Sequence, residues 1–167
     1  MTICINNLKK DILIPIIGGE NMDLNTKVLD EISKGTTMGM DAIHFVSDKV
    51  GNTRFQGVLD VEYGKYKDIQ NRVEDLYPKY NKTKEPQETN PMNKAMTWYG
   101  IQMKTMNDQS NEKLSELLIQ GTNMGIIEGV RLQNQNRETN LNSNVRQILN
   151  DFVAMQEDSV ETLKKYL

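Results

Sequence analysis

An eight-residue pattern occurs twice in the chain. Ile32-Ser33-Lys34-Gly35-Thr36-Thr37-Met38-Gly39 returns as Leu118-Ile119-Gln120-Gly121-Thr122-Asn123-Met124-Gly125, 86 positions later. Each copy sits early in a stretch of helical periodicity long enough for a hairpin. Two similar hairpins joined by a long connection would relate the copies by a pseudo-twofold axis. That restricts the chain to an all-α fold, an antiparallel bundle of four helices.

The helical period is continuous from Met22 onward. Val28, Ile32, Gly35, Gly39, Ala42, Val46 and Lys49 alternate steps of four and three, which gives a helix over roughly 24–50 with one seam toward a neighbour. Asp23 or Asn25 is expected to cap its start, and Gly51-Asn52 to stop it. Phe55, Leu59, Glu62, Tyr66, Ile69, Val73, Leu76 and Tyr80 repeat the pattern in a second helix, which must return antiparallel. Residues 79–91, with Pro86 and Pro91, read as a connection. Met92, Met96, Tyr99, Met103 and Met106 form a short amphipathic crossover helix, ended by Asn107-Asp108. A third long helix over about 111–135 carries Leu114, Leu118, Gly121, Gly125, Glu128 and Leu132 on its seam. The last, after Asn144, carries Val145, Leu149, Phe152, Gln156, Val160 and Leu163.

Four glycines at matching places inside helices require a reason, because each costs about 1 kcal/mol relative to alanine. Gly35 and Gly39, like Gly121 and Gly125, lie one turn apart on one face, so the simplest reason is close approach of two helices, with Met38 and Met124 as adaptable fillers beside the contact. The alternative is that the glycines clear space for a ligand at mid-bundle. Trp98-Tyr99, beside Met96 and Met103, could wall an apolar pocket, although at helical spacing core packing is the commoner use.

Composition narrows the partners. With 167 residues, 26% charged and 37% hydrophobic, the chain suits one domain with one core. A net charge of -3 with both signs interspersed offers no field for nucleic acid. One cysteine, Cys4, and one histidine, His44, exclude an internal disulfide and a standard Cys/His zinc site, in keeping with a cytoplasmic location. The apolar run Ile12–Ile17, broken by Pro15, is too short to cross a membrane.

The hairpins, the proline-containing crossover and the short segment Ala95-Met96-Thr97-Trp98 resemble bacterial ferritin-like four-helix-bundle families of unknown function, over residues 22–167. The resemblance implies the fold and no established activity. Iron-binding members of the wider superfamily use a Glu from each of two helices and Glu-x-x-His from each of the other two. Here the seam carboxylates Glu62 and Glu128 are followed three residues later by Lys65 and Arg131, and His44 falls off its seam, as a surface histidine would. Glu62 and Glu128 are therefore expected either to pair with Lys65, Arg131 or Tyr66, or to reach water where the bundle splays.

The expected role is a non-enzymatic structural, interaction or stress-related protein without a cofactor, working as a homodimer. One alternative is a diverged di-iron or manganese carboxylate protein binding through Glu62, Glu128 and Gln156. Another is a binder of an apolar small ligand in the bundle core.

Residues 1–21 differ from the rest: they hold the cysteine and have no helical period. Ile17-Gly18-Gly19-Glu20-Asn21-Met22 back-translates to a purine-rich ribosome-binding sequence before a start codon, so residues 1–21 are expected to be an extension that is not translated in vivo, with the working chain starting at Met22. The intact mass of the protein from its native host tests this, and a mass that includes Met1 refutes it.

Overall fold

A computed structural model describes residues 23–82, 86, 99–102, 104 and 107–167. Among them every regular element is helical: α1 Leu24–Ser47, α2 Thr53–Leu76, α3 Asn111–Gln135 and α4 Ser143–Leu163, with single 3-10 turns at Tyr77–Lys79 and Lys164–Tyr166. A further helical piece covers 99–102, inside the span expected for the crossover helix. The rest of that expectation, Met92, Met96, Trp98, Met103 and Met106, lies outside the described residues, as do Pro91 and residues 1–21.

Local chemistry sets the helix ends. The Asn52 side chain accepts from the Phe55 backbone N–H at 3.0 Å and so caps α2 instead of only ending α1. Ser110 and Asn142 cap α3 and α4 in the same way. At α1 the expectation needs correcting. Asp23 holds the N-cap position without a side-chain bond, while Asn25 accepts from the Asn142 N–H at 2.8 Å and ties the start of α1 to the start of α4. The same helix ends at Ser47, so Lys49 leaves the seam for solvent and Val50 takes the buried place beyond it.

Side-chain pairs fix the helix directions. Asp30 meets Tyr77, Thr36 meets Gln70 and Lys65 meets Asp158, while Arg72 meets Asp151 and Gln133 meets Asn150. As one partner's number rises the other's falls across α1–α2, and again across α2–α4. Across α3–α4 the Ser115 hydroxyl reaches the Leu163 carbonyl at 2.6 Å near one end and Gln133 reaches Asn150 near the other. These three pairs of helices are antiparallel. Between α1 and α4 the numbers rise together, Asn25 with Asn142 and Gly35 with Phe152, so these two run the same way. It follows that α2 and α3 are parallel, and the connection between them must return along the length of a helix of 24 residues, about 36 Å.

One core fills the space between the four helices, with Leu29, Ile32, Val46, Phe55, Leu59, Val73, Leu114 and Val145 all almost fully enclosed. At one end Phe55 stacks on Tyr166 with ring centroids 4.4 Å apart, so the C-terminal turn closes over the α1–α2 loop. Apart from Lys49 in solvent and the half-buried Gly35, Gly39 and Tyr80, the seam residues named from the sequence form the buried interior on α1, α2 and α4. On α3 they do so only in the N-terminal half, through Leu114 and Leu118, whereas Leu132 is half-buried and Glu128 is exposed.

Three tyrosines are buried. Burial, followed by the hydrogen bond to Asp30, pushes the Tyr77 hydroxyl up to about 12. Burial likewise pushes Tyr66 to about 12, against the opposing effect of the Thr122 hydroxyl, and raises Tyr99 as well. In the unfolded chain these phenols ionise near their ordinary value of 10.0. Between about pH 10 and 12 the native state then holds protons that the unfolded state has lost, and stability falls as pH rises. The alkaline limb of a denaturation profile should therefore be steep above about pH 10, and Tyr66→Phe should make it shallower. A profile flat to pH 12 in the parent protein would contradict these shifts.

Candidate functional site

Between α1 and α3 the core opens into a cavity of about 780 Å³. Both copies of the repeated sequence line it, through Gly35, Met38 and Gly39 on one side and Gly121, Met124 and Gly125 on the other. Its floor is formed by side chains of α2 and α4, among them Glu62, Tyr66, Phe152, Gln156 and Ser159, and Tyr99 of the crossover closes part of one wall. A volume of this size lies within the usual range for small-molecule pockets, about 300–1,000 Å³.

Side chains fill the space left by the glycines. A Cβ at Gly35 would come within 2.6 Å of the Phe152 ring, and one at Gly129 within 2.6 Å of Val153. At Gly39 it would strike the Tyr66 ring, at Gly121 the Tyr99 hydroxyl, and at Gly125 the amide oxygen of Gln156. In each case the nearest atoms belong to side chains, whereas close approach of two helices would bring backbone. No described glycine has a positive φ, so room and not backbone freedom is what these positions require. The second glycine of each copy does matching work, since Gly39 of α1 receives Tyr66 from α2 and Gly125 of α3 receives Gln156 from α4, whereas the first does not: Gly35 receives Phe152 from α4 and Gly121 receives Tyr99 from the crossover. Gly129, which the repeat does not include, belongs to the same row.

The methionines differ. Met38 is half-buried at the cavity wall, whereas Met124 is 53% exposed at its rim and leads a stripe of apolar residues with Ile127 and Val130 along α3. Met124 is therefore not enclosed beside a helix contact as the sequence suggested.

The two seam carboxylates have opposite fates. Glu62 is 2% exposed. One of its oxygens accepts from Lys65 Nζ at 2.7 Å and the other from the Ser159 hydroxyl, while Lys65 also reaches Asp158 at 2.8 Å. Partial burial works against the Lys65 ammonium, but its bonds to Asp158 and Glu62 outweigh this and leave its pKa raised. Glu128 pairs with Arg131 in solvent at the cavity rim. Both bases expected from the sequence are thus the partners found. Ser159 is the contributor the sequence did not reveal, because a small hydroxyl on an apolar seam carries no distinctive signal. Gln156 lines the same floor one turn from Ser159, so Glu62 and Gln156 meet at the cavity while Glu128 stays at its edge. Among the described residues no group of three or more His, Cys, Asp or Glu side chains is placed to hold a metal ion. His44 is exposed.

The glycine row can be tested against a control on the same molecule. Gly39→Ala should lower stability by about 1–3 kcal/mol in urea unfolding, the usual cost of forcing a methyl group into a packed site. Gly57→Ala, on α2 with open space around it, should raise stability by about 0.5–1 kcal/mol. Equal responses at the two positions would mean that Tyr66 moves freely away from Gly39.

Comparison with known proteins gives no family model, no curated protein and no solved structure that matches the chain.

Proposed function

We propose that the chain is a ferritin-like four-helix bundle that serves as a binding protein for a largely apolar small molecule held between α1 and α3. The layout is supported by the helix directions, since two antiparallel hairpins whose inner helices run parallel need one long crossover, the connection typical of ferritin-like bundles. The ligand reading is carried by one observation: a cavity of about 780 Å³ is built from both copies of the repeat. Filling so large a space with side chains would be worth several kcal/mol to an otherwise well-packed bundle. The glycine gaps are already taken by Tyr66, Phe152, Gln156 and Tyr99, and the space that remains beyond these groups is left unfilled at a cost in stability, as a space kept for a ligand would be.

The di-iron or manganese reading has less support. Glu62 has both oxygens engaged by Lys65 and Ser159, and Glu128 is turned to solvent with Arg131. A homodimer draws support from the exposed stripe Met124, Ile127 and Val130, which a second copy could cover. Among the described residues no helix is long and apolar enough to cross a membrane.

The neutral fluorophore N-phenyl-1-naphthylamine tests the ligand reading. It should bind at one site per chain with enhanced emission, and Met38→Trp, which fills the wall from a half-buried position, should weaken binding at least tenfold, or about 1.4 kcal/mol. Absence of binding by the folded parent protein would refute the reading.

A further inference from the structure

The charges around the cavity are already matched. Among the described residues five charged side chains line it, and each is in an ion pair: Glu31 with Lys34 at 2.6 Å, Glu62 with Lys65 at 2.7 Å, and Glu128 with Arg131. The pairs with Glu31 and Glu128 lie at the rim, where water reaches them, and only Glu62 is at the floor. The phenols of Tyr66 and Tyr99, also at the cavity, stay protonated and neutral at ordinary pH.

One polar group is left over. Gln156 is 2% exposed, yet its amide makes a single hydrogen bond to a described residue, from Nε2 to the Phe152 carbonyl of its own helix at 3.4 Å. Its Oε1 accepts from no described residue and lies over Gly125, where a side chain would displace it. An amide with unused capacity at the floor of a cavity completes its bonds with water or with a bound group. The missing Cβ at Gly125 leaves the amide room at the cavity floor.

On this basis we propose that Gln156 receives the polar end of the ligand, and that this end is a neutral group able both to donate and to accept, a hydroxyl or primary amide on an apolar body. The proposal rests on the ligand reading above. A carboxylate end would be brought toward the Glu62 carboxylate, with no unpaired cation among the described lining residues to meet it. An ammonium end would find both Glu62 oxygens occupied and the Lys65 ammonium beside them. Either charge would lose its hydration without a counter-ion, a penalty of several kcal/mol. A neutral end loses little and completes the Gln156 amide, which presents an acceptor and a donor together. The apolar body then lies along the glycine-lined walls toward Met38 and Ile127.

Three probes with one chain length separate the possibilities: 1-dodecanol, dodecanoate and dodecylammonium, each displacing bound N-phenyl-1-naphthylamine at neutral pH. Dodecanol should displace the fluorophore at a concentration at least tenfold below the other two. In Gln156→Met, a change of similar volume that should leave the melting temperature at or above the parent's, the fluorophore should still bind and the preference for dodecanol should shrink to threefold or less. Equal displacement by all three probes, a preference for either charged probe, or an unchanged preference in Gln156→Met would overturn the proposal while leaving the cavity reading in place. Failure of the fluorophore to bind the parent protein would overturn both.

Discussion

Tyr66 reaches across from α2 and lies where Gly39 has no side chain, and three other large groups, Phe152, Gln156 and Tyr99, use Gly35, Gly125 and Gly121 in the same manner. Gly39 with Tyr66 and Gly125 with Gln156 set the approach of the two helices within each hairpin, whereas Gly35 with Phe152 sets the approach of α1 to α4 and Gly121 with Tyr99 that of α3 to the crossover. These fits also determine what is left between the hairpins. Gly35, Gly39, Gly121 and Gly125 all line the space between α1 and α3, and the inserted groups come from α2, α4 and, through Tyr99, the crossover, so these side chains form its floor and part of one wall. A well-packed core would normally leave no such volume. Here core and cavity have the same origin.

The buried carboxylate depends on the same geometry. Glu62 is one turn from Tyr66 on α2 and faces α4, where Ser159 satisfies one oxygen, while Lys65 folds back from the surface to satisfy the other. An isolated charge at that depth would be untenable, and the cost is met by an ammonium whose stem lies along the helix and whose head keeps a second anchor in the more exposed Asp158. The link from Glu62 through Lys65 to Asp158 therefore connects α2 to α4 at the level of the cavity floor. It holds the floor in place and pairs its charge, while the Gln156 amide beside it makes one bond to a described residue.

Most of the architecture could be read directly from the residues. Alternating steps of three and four on Val28, Ile32, Ala42 and Val46, and on their counterparts in the other helices, define elements that the structure places within a few residues of expectation. The errors lie at the ends, where one side-chain hydrogen bond decides the outcome. Asn25 serves Asn142 and not its own helix, and Ser47 closes α1 before Lys49 can join the seam. The pairing of Glu62 with Lys65 and of Glu128 with Arg131 was equally legible, since residues three apart on a helix are neighbours whatever the fold.

The sequence by itself determined that the chain is helical, that an eight-residue pattern occurs twice, and that glycines recur one turn apart in each copy, because these follow from local periodicity. Only the tertiary structure decided what those glycines face. The residues that enter the gaps come from 27 positions away in the case of Tyr66 and 117 in the case of Phe152, and no local rule connects such distances. The same holds for Glu62 and Glu128, which look equivalent along their helices. One is enclosed because α4 packs over it, and the other is exposed because it sits at the rim of the cavity between α1 and α3.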